Sequence, residues 1–397
     1  MTNYKYTVVI PTRNRQKYCI EAIKSVTQAG RNDVQIIVVD NSDDNSLDQL
    51  LNENNLLEKI HYLPSQEEVF PMGANWERAI DLVQGQWLSY IGDDDGYAPY
   101  AFDAFDFLTE KYTFKAFRWD TYNYKWPCFP TNNAGLLNFK VADFGVDVIY
   151  APKELQKVQE WHTGNLWPKL GPSVYHGLVA YDLVKALKER YGNYFVDNCT
   201  DYASSILNAT RIEHYLSYQL PMTIMGASKR SNTAKLTGIT PEDHKIEFNN
   251  SFKSCAKALE KTDLNVPRVA NSIANVFSLL NIDFSVGVPK LLTSCVNELK
   301  KINDRDTFVK AKALLIKFAQ ANHINPAPIE AIPIYTPGIT PKGYLSQEGA
   351  FFIDTLKMNL SGTFEISQFL KAITPDEMTI HMGIYNSIKK QAPQFIK

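Results

Sequence analysis

Short apolar runs alternate with segments of helical spacing in the amino-terminal part of the chain. Residues 7–10 form a run of β-formers, and residues 35–39 form a second. Between them Ile20, Ile23 and Val26 recur at the spacing of one helix face. A strand, helix, strand order over so short a stretch predicts parallel pairing with a right-handed crossover.

The same order continues as far as residue 91. The pattern predicts helices over 47–54 and 74–83, and strands over 59–63 and 87–91. Ligands of open α/β sheets collect at the carboxyl ends of the strands. We therefore expect one ligand region where three of these strands end, and its polar residues would be Thr12 to Arg15, Asp40 with Asn41, and Asp93, Asp94 and Asp95.

The character of the chain changes twice after this region. Residues 116–172 are irregular and aromatic, which predicts strands and a long binding loop. Helical patterns dominate beyond residue 240, for example over 252–261 and 290–302. We therefore predict an α/β fold with a mostly parallel central sheet flanked by helices, in a domain spanning 1–240, and a mainly helical carboxyl-terminal domain spanning 241–397.

Composition limits the classes of function. The 397-residue chain is 45% hydrophobic and 21% charged, as in ordinary folded proteins, and its length suits two domains. A net charge of −2 provides no general attraction for nucleic acid. The five cysteines show no metal-site spacing, no secretion signal opens the chain, and no apolar run reaches the roughly 20 residues that cross a bilayer. We expect a cytoplasmic protein, able to work at most from the membrane surface.

The aspartate triplet is the strongest chemical feature of the sequence. Asp93, Asp94 and Asp95 follow a predicted strand directly. Three anions so close together repel one another, whereas a hard divalent cation turns them into an oxygen-rich site. We therefore predict that all three bind Mn²⁺ or Mg²⁺, against the alternative of a solvated acidic turn.

The chain resembles the GT-A fold glycosyltransferases of family 2, inverting enzymes that mostly use nucleotide sugars. Residues 9–15 (VIPTRNR) are similar to the opening motif of the family, and residues 37–44 (IVVDNSDD) to its second strand end. The aspartate triplet followed by Pro99 resembles its D-x-D segment. The resemblance extends over roughly residues 5–230, and it implies the same fold, a nucleotide-sugar donor and a divalent metal.

The resemblance also implies a set of donor-binding residues. Asp40 would accept a hydrogen bond from the nucleotide base, and Asn75 and Arg78 would contact the ribose or the diphosphate. The positions of three further residues, apart from the resemblance, suggest donor contacts: His176 would touch the donor sugar or simply pack, and Lys229 and Arg230 would close over the diphosphate as a lid or form a solvated basic loop. The full predicted set is Pro11, Thr12, Arg13, Arg15, Asp40, Asn41, Asn75, Arg78, Asp93, Asp94, His176, Lys229 and Arg230.

An inverting transferase needs a general base for the acceptor hydroxyl. The family carries it near the start of a helix, and Asp201 occupies the matching position here, although Thr200 replaces the usual preceding Glu. Asp197 is the second candidate. A helix N-cap is the structural alternative for Asp201.

The sequence thus predicts a metal-dependent glycosyltransferase that moves a sugar, expected from a UDP-sugar, to a glycan or lipid-linked acceptor in cell-envelope or capsular polysaccharide synthesis. A sugar-phosphate nucleotidyltransferase is the alternative enzyme, but residues 11–15 lack the glycines that would hold a triphosphate. A non-catalytic nucleotide- or carbohydrate-binding module is the third reading. The carboxyl-terminal domain is assigned to the acceptor, to the membrane surface or to a homo-oligomer contact, and the sequence does not choose.

Overall fold

A computed structural model describes residues 4–140, 145–161, 171–231, 259, 261–284, 286–336, 342–346, 350–373 and 389–397. Its strands are β1 (Tyr6–Thr12), β2 (Val34–Asp40), β3 (His61–Leu63), β4 (Trp87–Tyr90), β5 (Gly96–Tyr97), β6 (Ala116–Lys125), β7 (Leu136–Lys140), β8 (Val146–Tyr150), β9 (Gly177–Ala180), β10 (His214–Ala227), β11 (Tyr344–Leu345) and β12 (Ala350–Asp354). Its helices are α1 (Gln16–Thr27), α2 (Ser46–Glu53), α3 (Met72–Glu77), α4 (Ala101–Lys111), α5 (Ala151–Gln159), α6 (Tyr181–Tyr191), α7 (Thr200–Ala209), α8 (Asn265–Leu279), α9 (Val288–Leu299), α10 (Arg305–Ala321), α11 (Ala327–Glu330) and α12 (Thr363–Ile373).

The described strands form one mixed sheet. Its main path runs β11-β12-β7-β6-β9-β4-β1-β2-β3, and β10 joins it alongside β6. The pairs among β1 to β4 are parallel, as predicted, whereas β9 is antiparallel to both β4 and β6. The register places Thr12 opposite Asp40 and Val9 opposite Tyr90, so β1, β2 and β4 end side by side.

The parallel strands are apolar on both faces because each face carries helices. Tyr6, Val8 and Ile10 of β1 pack in one core cluster together with residues of α1, α2 and α4. Val9 points the other way, into a second cluster shared with α6, α7 and the carboxyl-terminal helices. Successive side chains of a strand alternate between faces, so near-continuous apolar runs are what a doubly covered sheet requires. The predicted α/β class is confirmed.

Two parts of the chain differ from the elements that the pattern predicts. The predicted helix over 74–83 is the short α3 followed by a 3₁₀ turn at Ile80–Leu82. The carboxyl-terminal part also contributes the strands β11 and β12, and β12 pairs with β7 and so extends the central sheet. Strand β12 gains its hydrogen bonds to β7 from a partner distant in sequence, which local periodicity does not reveal.

The carboxyl-terminal helices pack directly on the α/β part. Helix α8 lies against α7, and α12 lies against α1, where Gln28 Nε2 donates to Ser367 Oγ at 2.5 Å. The predicted boundary at residues 240 and 241 and most of the predicted helix over 252–261 lie outside the described residues. Within the described residues, none of the helices combines the length and the apolar character that crossing a bilayer requires.

A buried carboxylate joins the first two carboxyl-terminal helices. Glu298 of α9 accepts hydrogen bonds from the backbone N–H groups of Asn265 at 2.8 Å and Val266 at 2.9 Å. These N–H groups begin α8, where the N-cap residue Leu264 offers no side-chain acceptor. Burial raises the pKa of Glu298, and the two N–H groups oppose that shift.

We expect Glu298→Ala to lower the free energy of unfolding by about 2–4 kcal/mol, because two buried N–H groups lose a charged acceptor. Glu298→Gln should cost less, since one acceptor oxygen remains. The measurement is urea-induced unfolding followed by circular dichroism and tryptophan fluorescence. Glu330→Ala, at an exposed position, serves as the control, and equal stabilities of the Glu298→Ala and Glu330→Ala variants would contradict the capping role.

Candidate active site

The aspartate triplet lies where β1 and β4 end, as predicted. Thr12 Oγ1, in the last residue of β1, donates to Asp93 Oδ2 at 2.6 Å. The Asn41 N–H, just after β2, donates to the Thr12 carbonyl at 3.0 Å. Both contacts hold the ends of three strands together, and Pro11 is buried inside β1 beside them.

Arg15 forms ion pairs with the aspartate triplet. Its Nη2 lies 2.8 Å from Asp93 Oδ1 and its Nη1 lies 3.3 Å from Asp94 Oδ2. Asp93 has no exposed surface and Asp94 is 5% exposed, whereas the Arg15 side chain is 23% exposed. One face of the guanidinium therefore meets two buried carboxylates while part of the side chain remains open to solvent.

Asp94 also anchors the loop that follows β10. The Ser228 hydroxyl donates to Asp94 Oδ2 at 3.1 Å, and the Ser231 hydroxyl donates to the same oxygen. Lys229 and Arg230 lie between these serines and are exposed. The loop with the two predicted lid cations is thus folded over the triplet, and Arg230 Nη1 donates to the backbone carbonyl of the turn before α1.

Asp95 is held by donors of the protein itself. Its Oδ1 accepts the Gly226 N–H at 2.8 Å, and its Oδ2 accepts the Gly92 N–H at 2.7 Å and the Tyr175 hydroxyl at 2.9 Å. A Cβ added at Gly226 would lie 1.7 Å from the Asp94 carbonyl oxygen, so only glycine allows β10 to come this close. Asp95 fastens the triplet turn to β10 and to the segment before β9.

His176 is brought to the triplet from that same segment. Its backbone is in the left-handed region, with φ 50°, and its side chain is buried. Nδ1 lies 2.8 Å from Thr223 Oγ1, and Nε2 lies 3.2 Å from Asp95 Oδ2. His176 is therefore a direct neighbour of Asp95.

Asp40 ends β2 and is fully buried. Its Oδ1 accepts the Ser42 N–H at 2.9 Å, and its Oδ2 accepts the Tyr62 hydroxyl at 2.9 Å. Burial raises the pKa of Asp40, and these two donors oppose the shift. Each carboxylate oxygen has a further lone pair for a base N–H.

The side chains around Asp40 are mostly used inside the protein. Both amide atoms of Asn41 bond to the backbone of Phe70, at 2.9 and 3.0 Å, which gives Asn41 a structural role, and its donor contact stays a prediction. Arg78 donates to Asn75 Oδ1 at 3.0 Å, to the Asp40 carbonyl at 2.8 Å and to the Pro64 carbonyl at 2.9 Å. Arg78 therefore ties the end of β2 to α3 and to the residue after β3.

Arg13 points away from the triplet. Its Nη2 lies 3.3 Å from Asp43 Oδ1 on the loop after β2. Asn14, with φ 55°, donates to Asp43 Oδ2 at 2.7 Å and accepts the Asp43 N–H at 3.0 Å. These contacts fix the backbone that carries Arg15.

The two candidate bases lie near the start of α7 and differ in their partners. Asp197 accepts the Cys199 N–H at 2.9 Å on Oδ1 and the Asn275 amide of α8 at 2.9 Å on Oδ2. Asp201 is half-buried, and its Oδ1 accepts the adjacent Tyr202 N–H at 3.0 Å. Burial raises the pKa of Asp201, while that N–H and the nearby His176 oppose the shift.

The charges of the triplet are unevenly balanced. Burial raises the pKa of Asp93 to about 7, although Arg15 opposes the shift. Burial also acts on Asp95, but His176 and the N–H groups of Gly226 and Gly92 outweigh it, so the pKa of Asp95 lies below its usual range. The three aspartates together raise the pKa of Arg15 against the effect of its burial. Positive charge is therefore most needed at Asp93.

The predicted ligand set of three aspartates is not assembled as a metal site. No group of three or more His, Cys, Asp or Glu side chains in the described part of the chain could hold a metal ion. Asp95 is occupied by protein donors. Asp93 Oδ1, in contrast, is buried without a hydrogen-bond partner of good geometry among the described residues, so Asp93 with Asp94 fits a hard cation whose other ligands are phosphate and water.

Sequence reasoning missed several residues that organise the site. Ser228, Ser231 and Tyr175 bind the triplet, and Tyr62 binds Asp40. The serines flank the basic pair of the lid segment and Tyr175 precedes His176, so adjacency was the available signal. A hydroxyl carries no charge or spacing that would single it out in a sequence.

Comparisons with known proteins bear on this site. Glycosyl transferase family 2 matches residues 7–125. The GalNAc(5)-diNAcBac-PP-undecaprenol beta-1,3-glucosyltransferase of Campylobacter jejuni is 34% identical over 95 residues, which are 23% of this chain and 30% of that protein. The chain therefore spans less than a third of the length of this curated relative.

Solved structures give looser likenesses. The crystal structure of TarS from S. aureus has a TM-score of 0.42 at 14% identity, over 88% of this chain and 60% of that one. The mannosyltransferase PcManGT from Pyrobaculum calidifontis, in complex with GDP-Man and Mn²⁺, has a TM-score of 0.40 at 12% identity, over 93% and 86%.

The family match contains the ends of β1, β2 and β4, with Arg15, Asp40 and the aspartate triplet. The resemblance inferred from the motifs is confirmed there: residues 7–125 of this chain match glycosyl transferase family 2.

Proposed function

We propose that the protein is a glycosyltransferase that uses a nucleoside-diphosphate sugar. The observation that supports this most is the pairing of buried Asp93 and Asp94 with Arg15 at adjoining strand ends, within the family-matched segment. Such a group of charges suits a diphosphate, which brings anionic oxygens and a requirement for positive charge. The strand ends are also where open α/β sheets bind their ligands.

The residues of this chain would divide the donor between them. Arg15 and the exposed Lys229 and Arg230 would bind the diphosphate. Asp40 would lie on the nucleoside side, where its remaining lone pairs would accept from the base, and Arg78 would hold the end of β2 through the Asp40 carbonyl. The donor expected from the Asp40 contact is a UDP-sugar.

Asp93 and Asp94 are the residues that would hold Mn²⁺ or Mg²⁺. A bound divalent ion supplies positive charge to the departing diphosphate and so lowers the barrier to its release. Asp95 has a separate task, because it fixes the turn that presents its two neighbours.

Asp201 is the proposed base. During transfer the acceptor oxygen forms a bond to the anomeric carbon while the bond from that carbon to the diphosphate breaks, and Asp201 Oδ takes the hydroxyl proton. Attack opposite the leaving group would invert the anomeric centre. Asp197 is less suited, because both of its carboxylate oxygens are already bonded inside the protein.

The acceptor side is proposed on narrower support. The name of the Campylobacter relative describes a glycan linked to PP-undecaprenol. We propose that the acceptor of this chain is also a lipid-linked glycan, in envelope or capsular polysaccharide synthesis at the cytoplasmic face of the membrane. The helical carboxyl-terminal region, which α8 joins to the base segment through Asn275, would bind the acceptor or a second copy.

The two other readings fit the site less well. A nucleotidyltransferase would hold a triphosphate over the turn before α1, but that turn is closed by the contacts of Asn14 and Arg230. A module that only binds would not require a half-buried carboxylate of raised pKa near the triplet, as Asp201 provides.

We expect Asp201→Asn to reduce sugar transfer by about 10²-fold or more, because the amide cannot accept the acceptor proton. Nucleotide binding should remain close to wild type, since Asp201 has no donor role. The assay supplies labelled nucleotide sugars and a bacterial membrane lipid extract, and it measures label in the organic phase.

Asp197→Asn is the matched variant. It should lower the melting temperature through the contact with Asn275 while the folded protein keeps its transfer activity. An active Asp201→Asn protein beside an inactive, well-folded Asp197→Asn protein would contradict the assignment.

The pH dependence follows from the burial of Asp201. The base works only when deprotonated, and its pKa is raised, so kcat/KM should rise with pH through a value above the ordinary aspartate pKa of about 4. The rate is measured from pH 4 to 8 while circular dichroism monitors folding. A rate that stays constant down to about pH 4 in a folded protein would show that Asp201 is not the base.

A further inference from the structure

Arg15 occupies the position that a divalent cation would need. Its guanidinium contacts Asp93 Oδ1 and Asp94 Oδ2, and these two residues are the carboxylates suited to a metal. Of the lysine and arginine side chains in the described residues, Arg15 alone pairs with the triplet. The guanidinium and a divalent ion cannot both bind these oxygens at close range, because two cations would repel each other in a site with little water.

The backbone of Arg15 is fixed, but its side chain is long and partly exposed. Arg15 precedes α1, and its carbonyl accepts the N–H groups of Tyr18 and Cys19 at 3.1 Å. The preceding Asn14 is tied to the loop after β2 by its contacts with Asp43. A displaced guanidinium would therefore move about a fixed backbone position, and its side chain already has 23% of its surface exposed.

We infer that Arg15 is an exchangeable counterion. It neutralises Asp93 and Asp94 when no donor is bound, and it moves to the donor diphosphate when a divalent cation binds the two carboxylates. This inference rests on the proposed function for the identity of the anion. It makes donor binding and cation binding mutually dependent, because the binding of one lowers the free-energy cost of binding the other. Alone, the cation must displace Arg15, and the diphosphate must draw Arg15 away from two buried carboxylates.

The test measures Mn²⁺ binding without nucleotide, by electron paramagnetic resonance, in wild type and in Arg15→Gln. Removal of the competing charge should tighten Mn²⁺ binding by about tenfold, since the guanidinium no longer has to be displaced from the two carboxylates. Arg15→Lys should bind Mn²⁺ with intermediate affinity, because an ammonium group cannot span both carboxylates. Arg211→Gln, an equal loss of charge at an exposed position, should leave the Mn²⁺ affinity unchanged.

The second measurement is UDP binding at saturating Mn²⁺. Arg15→Gln should bind UDP at least about fivefold more weakly than wild type, since the diphosphate loses a charged partner. The opposite changes in the affinities for Mn²⁺ and UDP are the signature of exchange. If Arg15 acted like a metal ligand, its substitution would weaken the binding of both Mn²⁺ and UDP. If its role were only structural, its substitution would lower stability without opposite changes in the two affinities.

Arg15→Gln can destabilise the fold by leaving two buried carboxylates unpaired. In that case Mn²⁺ should raise the melting temperature of the variant more than that of wild type, and Arg15→Gln combined with Asp93→Asn should fold without Mn²⁺. An unchanged or weaker Mn²⁺ affinity in folded Arg15→Gln overturns the inference, even where wild type binds UDP. Failure of wild type to bind any nucleotide would instead count against the proposed function.

Discussion

Three consecutive carboxylates follow β4 and are almost completely buried. A buried carboxylate is tolerated only when a charge or several hydrogen-bond donors compensate for the water it has lost. Each aspartate meets this requirement from a different part of the chain: Asp93 from β1 and Arg15, Asp94 from the loop after β10, and Asp95 from β10 and Tyr175. The burial of these charges therefore brings the surrounding loops together into one site.

The partners also separate the three residues by task. Asp95 is satisfied by neutral donors and by His176, and its pKa is lowered, so it is a fixed part of the scaffold. Asp93 depends on Arg15, and burial still raises its pKa to about 7. A site in which buried carboxylates lie next to a partly exposed guanidinium is suited to a ligand that brings both a cation and an anion, such as a metal-bound diphosphate.

Local pattern was sufficient for the parallel half of the fold. The runs that became β1, β2 and β4 are apolar on both faces because helices cover both, and that leaves a direct signal in the sequence. The triplet also leaves a direct signal in the sequence, because three consecutive charges that follow a buried strand require compensating partners. In contrast, β12 forms through pairing with β7, a partner far away in the chain, and β11 pairs in turn with β12. Nothing in the residues of either strand requires this pairing.

The roles of single polar residues were harder to predict. Asn41 and Asp197 have the residue types of ligands or bases, yet Phe70 and Asn275 use their side chains within the fold. Asp201 and Asp197 are four positions apart in the sequence. The structure distinguishes them because Asn275 of α8 donates to Asp197. Such distinctions depend on which atoms tertiary contacts leave available, and residue type alone does not carry that information.

The central claim is that Asp93 and Asp94 form a cation-dependent site for a nucleoside diphosphate. Calorimetric titration of UDP, GDP and CDP into the purified protein, with Mn²⁺ or with a chelator, tests it most directly, alongside an Asp93→Asn/Asp94→Asn protein. The account predicts that one nucleotide binds in the presence of Mn²⁺ and that chelator or the double substitution abolishes binding. Absence of binding for every nucleotide under both conditions, in folded protein, would contradict it.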